Sequence, residues 1–181
     1  MTILCVAKED RTIYLGSDTM GIDDGNRYIG TGFKFLKCGH FYIGIAGMHR
    51  FSTSISRGLK PTATNIEKLA LDMENLFRAE NLPTQAPNAG WPFESLVVNS
   101  KTGEMALVDS MLGVCHSNGS PIFAGSGSNF CAGAYYSLDS IASDLFSPRM
   151  KMEMALNLTC EHLTSCGGPV IVREIKISKK S

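Results

Sequence analysis

The sequence has no excess of either charge: seventeen Lys plus Arg balance seventeen Asp plus Glu, for a formal net charge of +0. That removes the basic surface on which nucleic-acid binding depends, so no nucleic-acid partner is expected. Nor is there a run of about eighteen apolar residues, and the opening MTILCVAKEDR meets charge before a signal-peptide core can accumulate. No membrane partner and no export by that route are expected, which makes the cytoplasm the expected compartment. Cysteine is present but never in paired spacing: Cys5, Cys38, Cys115, Cys131, Cys160 and Cys166 contain no CxxC. Reduced thiols are expected, not staples. Internal repeats are absent, and low complexity is confined to the final SKKS. What remains is 181 residues of ordinary globular composition, 44% hydrophobic, read as one domain spanning 1–181.

Two β-prone runs, ILCVA (3–7) and TIYLGS (12–17), flank a polar turn and predict an N-terminal hairpin. After the Gly- and Asp-rich stretch GIDDGNRYIGTG, a second pair runs from Phe33 to Cys38 and through FYIGIAG to Gly47, around a Gly39-His40 turn. Four strands are therefore expected before any long helix. From Pro61, Ile66, Leu69, Leu71, Met73, Leu76 and Phe77 fall near helical spacing, with Thr62, Thr64 and Asn65 as candidate N-caps. Asn81 to Phe93 reads as a loop. SLVVNS, EMALVD and PIFAG read as strands, GSNFCAGAYYSLDSIASDLF and RMKMEMALNLTCEHLTS as helices, and PVIVREIKI as the last strand. Strands, helices, strands, helices, strand is the order of an α+β protein, a four-layer αββα sandwich of two antiparallel sheets flanked by helices.

Thr2 is the first residue able to carry chemistry. Met1 precedes a small residue and is readily removed, which would leave a threonine with both a hydroxyl and a free amine. An α-amino group titrates at about 7.7 to 8, so at neutral pH part of it can accept the hydroxyl proton. Asp18 ends the second predicted strand and Lys34 opens the third, so the hairpins bring both beside the first strand, where a carboxylate can hold an ammonium against the hydroxyl. Each alone reads equally well as a surface charge. Gly47 ends the fourth strand, where a glycine leaves a bare backbone N–H for an oxyanion or simply turns the chain into a helix. The GSGS at Gly125 to Ser128 lacks the GK[ST] ending of a phosphate loop. Cys115-His116 and Cys160 with His162 are too sparse for zinc.

In joint order, Thr2, GSDT with Asp18, GFKFL with Lys34, YIGIAG ending at Gly47, GSGS before a helix and a late CGGPVIV resemble the proteasome β-subunit family of N-terminal-nucleophile hydrolases. The resemblance covers nearly the whole chain. Its length, with only Met1 ahead of the threonine, looks most like the bacterial branch, the heat-shock-locus V peptidases and betaproteobacterial proteasome homologues. The resemblance implies a threonine endopeptidase with Thr2 as nucleophile, Lys34 easing its deprotonation, Asp18 pairing with Lys34, Ser126 supporting the threonine amine and Gly47 supplying the oxyanion N–H. It further implies a substrate pocket of Gly32, Leu36, Ile45 and His49, with Gly21, Ile22 and Gly47 pairing to substrate backbone and a preference for apolar or aromatic side chains. Peptides or unfolded proteins are the implied substrates, a homo-oligomer of two stacked rings of six or seven the implied assembly, and an ATPase the implied activator. No cofactor is implied.

The sequence also departs from the family. Where many members carry an Asp three residues before Ser-Gly-Gly, this chain has Leu163 and Cys166; Glu161 and His162 are the nearest polar substitutes. Cys166 is an accessory residue at most, because a thiol is a weaker hydrogen-bond donor than a hydroxyl. Met20 stands where many members have a basic residue. A non-catalytic ring subunit of the same fold and a small-molecule amidase are the alternative readings.

Overall fold

The computed structural model describes residues 2–23, 26–30, 32–84 and 90–178. Met1, its expected removal, the middle of the loop expected between Asn81 and Phe93, and the end of the SKKS tail lie outside these residues. The strands are β1 (Leu4–Glu9), β2 (Thr12–Ser17), β3 (Met20–Asp23), β4 (Asn26–Ile29), β5 (Phe35–Cys38) and β6 (Phe41–Gly47), then β7 (Phe93–Asn99), β8 (Met105–Val108), β9 (Val114–His116), β10 (Ile122–Ala124) and finally β11 (Ile171–Lys176). Helices α1 (His49–Gly58) and α2 (Ile66–Ala79) separate β6 from β7, and α3 (Ser128–Ala142) and α4 (Pro148–His162) separate β10 from β11. The expected order of strands and helices holds.

Three apolar layers hold the sandwich together, and strand alternation explains them. The four-stranded sheet runs β10-β1-β2-β11 and the five-stranded sheet β5-β6-β7-β8-β9. Leu4, Val6, Ile13 and Leu15 point from the first sheet to Leu96, Val98 and Met105 of the second, forming the central layer. Cys5, Ala7 and Tyr14 face the other way, onto Cys131 and Tyr135 of α3 and Met152, Ala155 and Leu156 of α4. On the far side, Ile43, Ile45, Phe93 and Val97 meet Phe51 and Ile55 of α1 and Leu69, Met73 and Phe77 of α2. Strands buried on both faces read as continuous apolar runs, which is why ILCVA shows little alternation. Asn65 caps α2 by accepting from the Lys68 amide, and Ser147 caps α4 with Pro148 in the first turn.

The structure corrects the sequence reading in four places, the first being α1, a helix absent from the expected elements. GIDDGNRYIGTG was expected to be a connecting stretch, yet β3 and β4 form a separate two-stranded sheet with Met20 opposite Ile29 and Ile22 opposite Arg27. Six strands, not four, precede the first helix; four-residue strands rich in Gly, Asp and Asn carry too little periodicity to register. β9 pairs with β8 through three residues and is likewise too short to show a pattern. Asp18 lies just past β2 and Lys34 just before β5, so both sit at strand ends and not within strands.

Gly44 of β6 lies opposite Phe35 of β5, and a Cβ on it would approach the Phe35 ring to 2.7 Å. The ring is held in the central layer, so Gly44→Val is expected to lose roughly 1–3 kcal/mol of stability. Chemical denaturation checks this: a lower midpoint at unchanged slope is expected, and an unchanged midpoint would contradict it.

Candidate active site

Thr2 lies two residues before β1, only 8% exposed. Its position is fixed from below: the Asp18 carboxylate accepts from the Ile3 amide at 3.0 Å, and the Asp18 amide donates to the Ile3 carbonyl at 3.4 Å. Asp18 is fully buried. The charge inside is balanced by Lys34, whose Nζ donates to Asp18 Oδ1 at 2.6 Å. The same ammonium donates to Thr2 Oγ1 at 2.7 Å and to the Met20 carbonyl at 2.7 Å. An ammonium has three protons and no lone pair, so these three acceptors consume its bonding capacity. The second Asp18 oxygen accepts from the Gly167 amide at 3.3 Å, and the Gly167 carbonyl accepts from the Thr19 and Met20 amides. The β2 end, the β5 start and the turn after α4 thus converge on one carboxylate and one ammonium.

Ser126 closes the other side. Its hydroxyl lies 3.4 Å from the Thr2 backbone nitrogen, which donates to it, and 3.4 Å from the Thr2 carbonyl. The neighbouring Gly125 has φ +94°, and a Cβ there would fall on the Thr2 carbonyl oxygen. Only glycine lets this turn approach the threonine so closely. Gly47, with φ +149°, is constrained in the same way, because a Cβ would strike the Pro92 carbonyl and Phe93. The glycine is therefore required by the turn into α1 as well as available to a ligand.

A cavity of about 320 Å³ opens beside Thr2 and Lys34. All four residues of the expected pocket, Gly32, Leu36, Ile45 and His49, line it, together with Gly21 and Gly47. Ile22 is the next residue of β3. Met48 and Ser52 line the cavity too; neither was singled out from the sequence, although both fall beside His49 on the helix that follows Gly47. The Met20 carbonyl and the Gly167 amide were also missed. Backbone groups leave no trace in residue type, and no sequence signal identified them.

The departures near the C-terminus have visible consequences. Leu163 ends α4 as its C-cap, and neither Glu161 nor His162 bonds a residue of the site among the described residues; His162 instead packs against the Phe130 ring. Met20 brings no charge to the site; it gives its carbonyl to Lys34 and its amide to Gly167, and it lines the cavity. Cys166 is buried, within reach of the Ser126 and Ser165 hydroxyls. Burial pushes its thiol up, and the hydroxyls of Ser165 and Ser126 pull it back only partly. Cys160 is pushed up to about 12, first by burial and then by the Asp18 charge. All six cysteines are free.

Comparison with known proteins agrees at the level of fold. No family model and no curated relative matches the chain. Solved structures do: BPH of Thiobacillus denitrificans is 17% identical with a TM-score of 0.82, covering 99% of this chain and 100% of that one. The same protein in complex with epoxomicin gives 17%, 0.80, 98% and 100%, and eukaryotic HslV from Trypanosoma brucei gives 13%, 0.71, 97% and 99%. This chain shares their fold. The proteasome-like sandwich that the sequence resembles is thereby borne out as architecture.

The raised thiols generate a prediction. Only a thiolate attacks an alkylating agent, so at pH 8 iodoacetamide is expected to modify the exposed Cys115 at least about tenfold faster than Cys160 or Cys166. Peptide mapping over time checks this. Alkylation of Cys166 as fast as Cys115 would contradict a protonated, buried thiol.

Proposed function

We propose that this chain is a threonine peptidase whose nucleophile is the Thr2 hydroxyl once the Met1–Thr2 bond has been cut. The observation that carries the reading is the 2.7 Å contact between Lys34 Nζ and Thr2 Oγ1, with the ammonium held by buried Asp18. Because all three ammonium protons are engaged, Lys34 stabilises negative charge on the threonine oxygen and does not serve as the base. The base is the free amine of Thr2, which takes the hydroxyl proton directly or through one water. The oxygen then attacks a peptide carbonyl, the developing oxyanion takes the Gly47 N–H, and the proton passes to the leaving amine. An ester on Thr2 remains, and water attacking that ester releases the acid and restores the hydroxyl. Ser126 orients the amine. Gly21, Ile22 and Gly47 offer strand-like backbone to the substrate, and the apolar walls of the cavity favour an apolar or aromatic side chain before the scissile bond.

The reading extends to assembly. Among the described residues, seven of the ten exposed large hydrophobic side chains, Phe130, Tyr136, Ile141, Leu145, Met150, Met154 and Leu158, lie on α3, α4 or the link between them. Such a concentration supports burial against other copies, in stacked rings of six or seven whose chamber admits peptides or unfolded proteins, with an ATPase as feeder. The non-catalytic subunit remains the second reading. It is favoured by the missing carboxylate at Leu163 and opposed by the intact Thr2–Lys34–Asp18 contacts.

Hydrolysis of a panel of fluorogenic peptides tests the proposal. Thr2→Ala is expected to abolish turnover while leaving assembly, read by light scattering, unchanged. Lys34→Ala is expected to lose at least about two orders of magnitude in kcat/KM, and a loss under about fivefold would return Lys34 to a structural role. Turnover by Thr2→Ala at the wild-type rate would sink the assignment.

The amine itself is tested separately. An amide nitrogen cannot take the hydroxyl proton, because its lone pair is delocalised into the carbonyl. Preparations shown by intact mass to retain Met1 are expected to be inactive, and those beginning at Thr2 active. Equal activity in both would remove the N-terminal-nucleophile mechanism.

A further inference from the structure

We propose that the cavity beside Thr2 selects a side chain with an apolar stem and a neutral hydrogen-bonding tip, tyrosine above phenylalanine, and that His49 reads the tip. The inference rests on the peptidase reading and specifies its substrate.

Four wall positions, Gly21, Gly30, Gly32 and Gly47, carry no side chain, and Gly32 is the one that leaves room. A Cβ built on Gly32 meets nothing within 4 Å, so that glycine borders open space and not packed protein. Leu36, Ile45 and Met48 supply apolar surface around it, which suits an aromatic stem.

The polar groups of the wall are few and differently occupied. Lys34 has no proton left to offer, as its three acceptors are Thr2, Asp18 and Met20. Ser52 donates its hydroxyl to the His49 carbonyl at 2.8 Å. Among the described residues that line the cavity there is no carboxylate and no second cation, so a charged tip finds no fixed counter-charge from them. The Thr19 hydroxyl lacks a partner among the described residues but is buried, whereas His49 is exposed at the cavity wall. Its Nδ1 lies 3.2 Å from Thr53 Oγ1, one helical turn further along α1, which ties the ring back to its own helix. Its Nε2 has no partner among the described residues.

The tether also makes Nε2 adaptable. Thr53 Oγ1 lies equally 3.2 Å from the His49 carbonyl, so its single proton has two acceptors to choose between. With the proton on the carbonyl, Thr53 accepts from Nδ1–H and Nε2 is an acceptor. With the proton turned to Nδ1, the ring proton moves to Nε2, which becomes a donor. A phenol hydroxyl is served by either arrangement. A phenyl ring of the same shape is served by neither.

Three peptides that differ only in Tyr, Phe or Ala before the scissile bond decide the matter, using chain that begins at Thr2. Wild type is expected to favour Tyr over Phe by about fivefold in kcat/KM, the effect of one modest hydrogen bond at an exposed group. In His49→Phe that ratio is expected to fall to about one, and in Gly32→Val the Tyr-to-Ala ratio is expected to fall by roughly tenfold. A Tyr-to-Phe ratio near one in wild type, or one unchanged by His49→Phe, overturns the inference while leaving the peptidase reading intact. If no peptide is hydrolysed, the peptidase reading fails instead. Calorimetric binding of the corresponding tripeptide amides to wild type and His49→Phe then reads the same Tyr-to-Phe ratio, with the same outcomes deciding.

Discussion

The ammonium of Lys34 is the point at which the structure is tied together. It touches the end of β2 through Asp18, the start of β3 through the Met20 carbonyl and the N-terminal strand through Thr2. Its carboxylate partner is fully buried, so neither charge can be left alone. Removing one member of a buried pair costs about 3–5 kcal/mol, because the other is then uncompensated. This makes the pair a poor choice for stability alone, since apolar residues would fill the space as well. Its value lies in direction: the carboxylate accepts from the Ile3 amide, and the ammonium it holds faces the Thr2 hydroxyl.

The layered fold supplies the rigidity such a pair requires. β1 is sandwiched between the central apolar layer and the layer beneath α3 and α4, with Ile3, Leu4, Cys5, Val6 and Ala7 all fully buried. A strand anchored on both faces also fixes the two residues that lead into it, Thr2 and Ile3. The turn after α4 contributes from the opposite end of the chain, with Gly167 bonding both Asp18 and the backbone of Thr19 and Met20. Parts of the chain remote in sequence are thus brought to one carboxylate by backbone hydrogen bonds, which are shorter-ranged and more directional than charge alone.

Much of this was legible in the residues, and the reason is physical. Apolar runs, helical spacing and caps announce themselves, as β1 and β6 do by the first and α2 by the other two. Thr2 stood out because removal of Met1 would leave it a free amine beside its hydroxyl, and Asp18 and Lys34 because the predicted hairpins bring both strand ends beside it. Their association with Ser126, and the pocket of Gly32, Leu36, Ile45 and His49, came only from family resemblance, because spacing along the chain does not reveal contacts between elements. The β3–β4 hairpin was invisible because its strands are short and rich in weak β-formers. The Met20 carbonyl and Gly167 amide were invisible because every residue has such groups. Cys166 was seen as a departure, but that its thiol lies buried within reach of the Ser126 and Ser165 hydroxyls is a property of packing alone.

The central claim is that Lys34 and Asp18 make the hydroxyl of Thr2 the reactive nucleophile of this chain. Its most direct test is the site of attack on an electrophile. Protein beginning at Thr2 is incubated with a peptidyl epoxyketone, digested and mapped by mass spectrometry, alongside Lys34→Ala treated identically. The account predicts one adduct per chain, on Thr2, and none on Thr2 in the variant. An adduct on Cys166 or another residue in place of Thr2, or equal labelling of Thr2 in the two proteins, would contradict it.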